Sequence, residues 1–369
     1  LIKRILPLAS ILLVFGCAQQ TDRAQQYNDD EFAAPLNKTE TIESNQPRNF
    51  NSFEKQAEEV TKNSPSMAKT YQPLYEQLQV WAVKSGDPKA LSQYGVQAAQ
   101  LGGGDKKGNV LFTGYFSPVM ELRHSPDATF KYPVYGLPDC KKECPTRAEI
   151  YGGALNGQGL ELGYADNLID PFIMEVQGSG FVHFGDDDSL EYFAYAGKNN
   201  QAYVSIGRVL IERGEVPKEK MSLKAIKDWV MSQDEKTVQA LLEENTSYVF
   251  FSPQKAAPVT GSAGIPLQAM AAVAGDRSLF PMGTPILAEV PLLNADGTWS
   301  GAHELRLLIV LDTGGAVKGN HFDLYHGLGE FAGTQAGHYK HFGRVWKLGL
   351  ENSKTQDPWL LPSDKAAPQ

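Results

Sequence analysis

The stretch 305–327, LRLLIVLDTGGAVKGNHFDLYHG, restricts the possible folds more than any other part of the chain. Its apolar run, 307–311, is too short for an ordinary helix and is bounded by a glycine-rich turn. Such a run reads as a strand buried on both faces. Asp312 ends it, and Thr313-Gly314-Gly315 follows, where paired glycines let the backbone turn tightly and approach a ligand. Eleven residues beyond Asp312 stands Asp323, held among aromatics in His321-Phe322-Asp323-Leu324-Tyr325. A carboxyl with apolar neighbours is expected to have a raised pKa, as a proton donor near neutrality requires. Asp323 is the first candidate for chemistry.

Other runs of the same kind lie at 248–251, 265–267, 285–290 and 345–348. Strands at this spacing without intervening helices suggest a closed or nearly closed β-barrel. Upstream, Tyr71, Leu74, Leu78 and Trp81 recur at three- and four-residue steps and predict a helix over 67–81. A second helix is expected over 88–101, with Asp87 as N-cap and Gly102-Gly103-Gly104 ending it. A strand beginning at 110–112 leads into Thr113-Gly114-Tyr115-Phe116-Ser117-Pro118, read as an irregular exposed turn. Its aromatics suit either stacking on sugar rings or plain core packing.

From about 121 to 245 the texture changes to short β-like runs, glycines and acidic loops. Residues 172–176 read as a strand delivering Gln177-Gly178-Ser179-Gly180, whose backbone can approach a polar ligand. No helix of the kind a dinucleotide site needs follows, which excludes a Rossmann reading. Tyr195-Ala196-Gly197-Lys198-Asn199-Asn200 reads as a polar turn. Helices over 203–213, after Ser222, and around Val238, Leu241 and Leu242 look structural.

At 369 residues two domains are expected, and the net charge of -9 argues against nucleic acid or an anionic membrane surface as main partner. Lys3-Arg4 and the apolar run 5–15 fit an export signal, too short to span a membrane as a lasting helix. The closing Gly16-Cys17 resembles the lipobox of bacterial lipoproteins, which implies a leader over 1–16, lipid on Cys17 and, with Ala18 next, delivery to the outer membrane. The polar segment 17–64 reads as a disordered tether, and 351–369 as a frayed tail. Cys140 and Cys144 suit a small disulfide or free thiols better than zinc, which would need two further ligands.

Three readings compete for 312–341. One is acid–base catalysis by Asp323 with Asp312 or Glu330 in support. Another is a metal site, since His321, Asp323 and His326 are close in sequence and His338 and His341 follow. Against it, His321 and Asp323 share a strand face that His326 leaves. The third is a non-catalytic carbohydrate groove. Satisfied polar residues at a barrel mouth would also fit.

A resemblance separates these. Asp276 before Phe280-Pro281-Met282-Gly283-Thr284, Asp312 heading an Asp-x-Gly-Gly turn, and Asp323 eleven residues on resemble the domain named for three aspartates. Thr113-Gly114-Tyr115, Gln177-Gly178-Ser179-Gly180, Tyr195-Ala196-Gly197-Lys198-Asn199 and Ala274-Gly275-Asp276-Arg277-Ser278 match in order as well. Over roughly 70–350 the chain resembles the membrane-bound lytic murein transglycosylase A family, with Phe116 where that family often has a second tyrosine.

The resemblance implies a mainly β fold with a few peripheral helices. A double-psi β-barrel would be assembled from 65–121 and 246–350, with a β-rich domain, 122–245, inserted and a glycan groove between them. It implies non-hydrolytic cleavage of the MurNAc-β-1,4-GlcNAc bond of peptidoglycan, leaving 1,6-anhydroMurNAc ends. Asp323 would be the single acid and then base, and Asp312 would orient or polarise it. Gly314 and Gly315 would give room for backbone contacts. Thr113, Tyr115, Gln177, Gly178, Ser179, Gly180 and Lys198 would contact sugar. No cofactor and no metal are implied. The expected partners are peptidoglycan glycan strands, the outer membrane through the lipid anchor on its periplasmic face, and other cell-wall enzymes. The alternative is a non-catalytic, expansin-like peptidoglycan-binding module.

Overall fold

Fifteen strands and eight α-helices are formed among the residues that the computed structural model describes, namely 23–25, 27, 31–140, 144–185, 189–255, 257–351, 353, 357–359 and 361. The 1–16 leader, Cys17 and most of the 351–369 tail lie outside the described residues. The first strands are β1 (Leu36–Thr39), β2 (Val96–Leu101), β3 (Val110–Ser117), β4 (Val119–Glu121) and β5 (Tyr132–Tyr135). Next come β6 (Glu161–Ala165), β7 (Gly180–His183), β8 (Glu191–Lys198), β9 (Val249–Lys255) and β10 (Ala272–Ala274). Last are β11 (Pro285–Leu293), β12 (Trp299–Asp312), β13 (His321–Leu328), β14 (Lys340–Gly343) and β15 (Val345–Leu350). The helices are α1 (Phe53–Asn63), α2 (Pro65–Lys84), α3 (Arg147–Tyr151) and α4 (Ile169–Gln177), then α5 (Ile206–Glu212), α6 (Leu223–Met231), α7 (Glu235–Glu243) and α8 (Gly329–His338).

A nine-stranded sheet runs β1-β2-β15-β11-β12-β10-β13-β3-β14, and a four-stranded sheet runs β4-β7-β8-β9. The apolar run of 307–311 lies inside β12, between β11 and β10. Alternation sends Leu305, Leu307, Ile309 and Leu311 to one face, against Val60 of α1 and Leu74, Leu78 and Trp81 of α2. Leu308 and Val310 go to the other, with Phe112, Phe280, Ile286 and Phe322. Both faces are covered, so no polar residue alternates in.

The inserted part is not β-rich. It carries α3 to α7 around short strands, and the fold is mixed α/β with two β-sheet domains. Strand β9, expected with the barrel, pairs with β8 and completes the smaller sheet. The chain first passes between the sheets at Pro118, where a missing N–H interrupts a ladder naturally.

Several local expectations are corrected. Residues 172–176 lie within α4, with Ile169, Phe172 and Ile173 in a helical core and Met174 turned to the smaller sheet. Short apolar runs do not distinguish strand from helix. The helix expected over 88–101 is a 3-10 turn, Pro88–Tyr94, stopped by Gly95 at φ 69°, after which Val96–Leu101 is strand β2. Residues 113–117 continue β3 rather than forming a turn, and 265–267 form only the isolated bridge Thr260 to Pro266. The expected tether is ordered in its later part. Ile42, Phe53, Ala57 and Val60 are buried against the large sheet's core. Cys140 and Cys144 are joined in a disulfide.

Candidate active site

Asp323 is the third residue of β13, paired with Thr113 of β3 on one side and Ala274 of β10 on the other. Ala274 is also opposite Asp312, at the end of β12. The two carboxyls therefore flank β10 at one level, two strand spacings apart, or roughly 10 Å between α-carbons. Phe322 and Leu324 point into the core on the far face of β13 and fix the strand's rotation.

Thr113 Oγ1 lies 2.7 Å from Asp323 Oδ1 and 2.8 Å from His321 Nε2. His321 Nδ1 lies 3.2 Å from the carbonyl oxygen of Ala316, in the glycine-rich loop that returns from Asp312. Asp323 keeps an opening to solvent, yet protein packs around it closely enough for burial to push its pKa up to about 6. The hydrogen bond from Thr113 opposes that rise and the negative charge of Asp312 adds to it. Burial lowers the pKa of His321, against a smaller raising effect from its bond to Ala316.

Burial also raises Asp312, but its Oδ1 accepts from the backbone N–H groups of Ser262 and Thr313, both at 2.8 Å, which counter the rise. Ser262 arrives on a loop that presses on the end of β12, where a Cβ on Gly261 would lie 2.5 Å from Leu311 O. The Tyr115 hydroxyl is buried facing both aspartates and makes no well-formed hydrogen bond. Tyr115 packs its ring on Tyr325, at 5.2 Å between centroids.

The third aspartate of the pattern has another task. Asp276 accepts from Gly319 N at 2.8 Å and from Ser278 N and Oγ at 2.9 and 2.8 Å. Burial would raise its pKa, but these bonds outweigh it and hold Asp276 low. It clamps the loop that carries Ala316.

The structure thus brings Asp323, Asp312, Thr113 and Tyr115 together. Gln177, the last residue of α4, accepts from Phe116 N at 3.1 Å and ties the insert to β3. Gly178 ends that helix at φ 85°, Ser179 follows half-buried, and Gly180 begins β7 tightly against Met174 and Pro118. Lys198 does not join them. It is exposed at the opposite end of β8 from Tyr192, whose hydroxyl meets Thr260 N at 3.4 Å near the Asp312 loop. Gly314 packs on Val317, while Gly315 and Glu330 are exposed. The histidines disperse: His326 is half-buried against Tyr339, with its pKa lowered to about 4 by the protein packed around it, and His341 packs elsewhere on Tyr339. Among the described residues no three potential ligands gather to hold a metal. Ser262 and Ala316 escaped the sequence reading; the only signal was the glycines beside them.

Two sequence profiles match this chain: the MltA specific insert domain over residues 111–252 and the 3D domain over 271–349. The membrane-bound lytic murein transglycosylase A of Vibrio cholerae is 75% identical over 364 residues, covering 98% of this chain and 99% of the relative. Its namesake in Escherichia coli K12 is 46% identical over 351 residues, covering 94% of this chain and 95% of the relative. Among solved structures, E. coli MltA with bound chitohexaose superposes with a TM-score of 0.87 at 46% identity, covering 90% of this chain and 99% of that one. With such identity sustained over almost its whole length, the chain belongs to the membrane-bound lytic murein transglycosylase A family.

Proposed function

We propose that this protein is a lytic murein transglycosylase that cleaves the MurNAc-β-1,4-GlcNAc bond of peptidoglycan without water, with Asp323 as its one acid and base. The observation that carries the assignment is the unequal state of two neighbouring carboxyls. Asp323 has its pKa pushed up to about 6 and only a hydroxyl for a partner, whereas Asp312 is anchored by two backbone N–H groups. A hydrolytic glycosidase needs a second carboxylate to attack or to activate water. Here the sugar's own 6-hydroxyl attacks, already tethered and so at very high effective concentration.

Asp323 protonates the glycosidic oxygen as the C1–O bond breaks, and the GlcNAc leaves with that proton on its 4-hydroxyl. The 6-oxygen of MurNAc bonds to C1, and its proton goes to Asp323, closing the anhydro ring and restoring the acid. Asp312 holds negative charge beside Asp323 and keeps the proton on it until transfer. Tyr115, half-buried beside both aspartates, offers the sugar only the exposed part of its ring. Gln177, Gly178, Ser179 and Gly180 line the seam between the domains, Gly314 and Gly315 admit backbone contacts, and Lys198 would meet only a remote part of a long strand. The chitohexaose bound to E. coli MltA supports a glycan as ligand.

We also propose that the large sheet closes into a double-psi barrel from 65–117 and 257–350 rather than the expected 65–121 and 246–350, because β4 and β9 pair within the smaller sheet of the insert. In support, Arg344 alone links β14, at one end of the strand order, to β15 near the other, and Glu289 N on β11 donates to Arg344 O at 2.9 Å. The names of the relatives and the Gly16-Cys17 pattern support lipid anchoring at Cys17 on the periplasmic face of the outer membrane.

Purified sacculi digested with the enzyme and with Asp323→Asn test the assignment. The parent should release anhydromuropeptides, and the variant should lose at least roughly a hundredfold in rate while still folding. Reducing muramic acid ends carrying solvent oxygen would refute it.

A further inference from the structure

We propose that His321 is a positioning residue for the acid's proton: through Thr113 it forms a three-member chain with Asp323 that is complete only when it holds one extra proton. This rests on the reading of Asp323 as acid and base.

The argument is a hydrogen count. Thr113 has one hydroxyl hydrogen and two partners, Asp323 Oδ1 at 2.7 Å and His321 Nε2 at 2.8 Å. His321 Nδ1 faces a carbonyl oxygen, which can only accept, so Nδ1 carries hydrogen. With neutral His321 and a carboxylate at Asp323, one hydrogen would have to serve two contacts. The other contact would set lone pair against lone pair below 3 Å. One additional proton satisfies both.

That proton can sit on Asp323, which donates to Thr113, whose hydroxyl donates to Nε2. Alternatively it sits on Nε2, and both donations reverse. Burial disfavours charge on the imidazole and on the carboxyl alike, so the neutral arrangement is the resting one. Around the chain, β3 adds the Tyr115 hydroxyl and β12 adds Asp312, whose charge favours the extra proton. Lys340 stands opposite Thr113 on β14, with its pKa lowered by burial. Lys318 is in the loop before β13, and Asp276 there is occupied by Gly319 and Ser278.

When Asp323 gives its proton to the glycosidic oxygen, the chain is left one hydrogen short. Thr113 then turns to donate to the new carboxylate, and Nε2 faces an oxygen with nothing between them. Recovering the 6-hydroxyl proton relieves that contact. His321 therefore makes Asp323 a stronger base in the second half of the reaction, when it must act as one. One proton leaves, one returns, and no water is consumed.

The test uses the full-length enzyme on purified sacculi, with kcat, KM and the pH profile read from anhydromuropeptide release. Thr113→Ser should stay within about threefold of the parent, since it keeps the hydroxyl. His321→Ala should lower kcat by roughly tenfold to a hundredfold, leave KM unchanged and move the basic limb of the profile down by about one pH unit. Thr113→Val should lower kcat as much without moving that limb down, because it also removes the hydroxyl that stabilises the carboxylate. The double variant should be little worse than either single one, because one chain is broken in both cases. Independently of any variant, imidazole nitrogen NMR of the parent at pH 7 should find His321 neutral with hydrogen on Nδ1.

An unshifted limb with normal kcat in His321→Ala, a change confined to KM, additive losses, or hydrogen on Nε2 alone would each overturn the proposal. Thermal unfolding and chitohexaose binding of each variant distinguish a broken chain from a broken fold. A fully active Asp323→Asn would instead overturn the parent reading, whatever the His321 results.

Discussion

Two carboxyls share one site, and at the scale of the residue their surroundings set them to different tasks. Asp312 is held by backbone donors that a variant at any other side chain would leave in place. Asp323 has burial against it and one hydroxyl for it. A carboxyl whose folded pKa lies above its unfolded value near 4 binds more protons folded than unfolded in between, so stability falls as pH rises from about 4 through 6. Above that range the charged Asp323 costs about 1–3 kcal/mol, allowing for its opening to solvent. Asp323→Asn should therefore melt higher than the parent at pH 7.5 by a few degrees, and the gain should vanish at pH 4. Thermal unfolding across that range checks it, and a variant that melts lower at pH 7.5 would remove the case for a strained acid. The raised pKa of Asp323 was legible in the sequence, because its aromatic neighbours are adjacent. Its partner Thr113 was legible only as a sugar contact, because their bond joins residues 210 apart in the chain.

At the scale of the element, α8 decides how closely the site is backed. It lies between β13 and β14 and packs across β3, where a Cβ on Gly114 would sit 2.7 Å from Ala336 Cα and 2.8 Å from Ala336 O. Gly333 meets the ring of Phe116 at the same range. Such approach needs small residues, and α8 reads GEFAGTQAGH, with three glycines and no apolar stripe. No helical period is therefore visible there: the helix is stabilised by contact rather than by propensity. Within the large sheet β11, β12 and β15 were legible because their apolar runs are buried on both faces, whereas α4 and β2 were misread because their apolar runs are too brief to show a period. Gly114→Ala should push α8 off β3. The expected cost is about 1–3 kcal/mol in stability, with a fall in kcat because Thr113 and Tyr115 flank the substitution. Denaturant unfolding and anhydromuropeptide release measure the two effects, and a variant of parental stability would show that α8 yields without strain.

At the scale of the whole molecule, the two sheets do not meet as loosely linked bodies. Phe116 of β3 and Ala332 and Ala336 of α8 belong to the same buried cluster as Phe172 of α4, Leu210 of α5 and Leu241 of α7. An apolar core that crosses the boundary couples the unfolding of both sides, unlike the polar interfaces that let domains move independently. Within the insert, Arg147 and Glu175 form a buried ion pair, and Arg147 also donates to the carbonyls of Asn245 and Ser247, anchoring the segment from which β9 starts. Calorimetry should therefore give one unfolding transition for the described body. Phe116→Ala should lose about 3–5 kcal/mol and separate that transition into two, since the deleted ring fills the seam. Because the same seam carries Gln177 and Tyr115 toward the acid, KM for glycan strands should rise more than kcat falls. A single transition retained in Phe116→Ala, with unchanged KM, would mean that the insert and the large sheet are held in register by something other than this core.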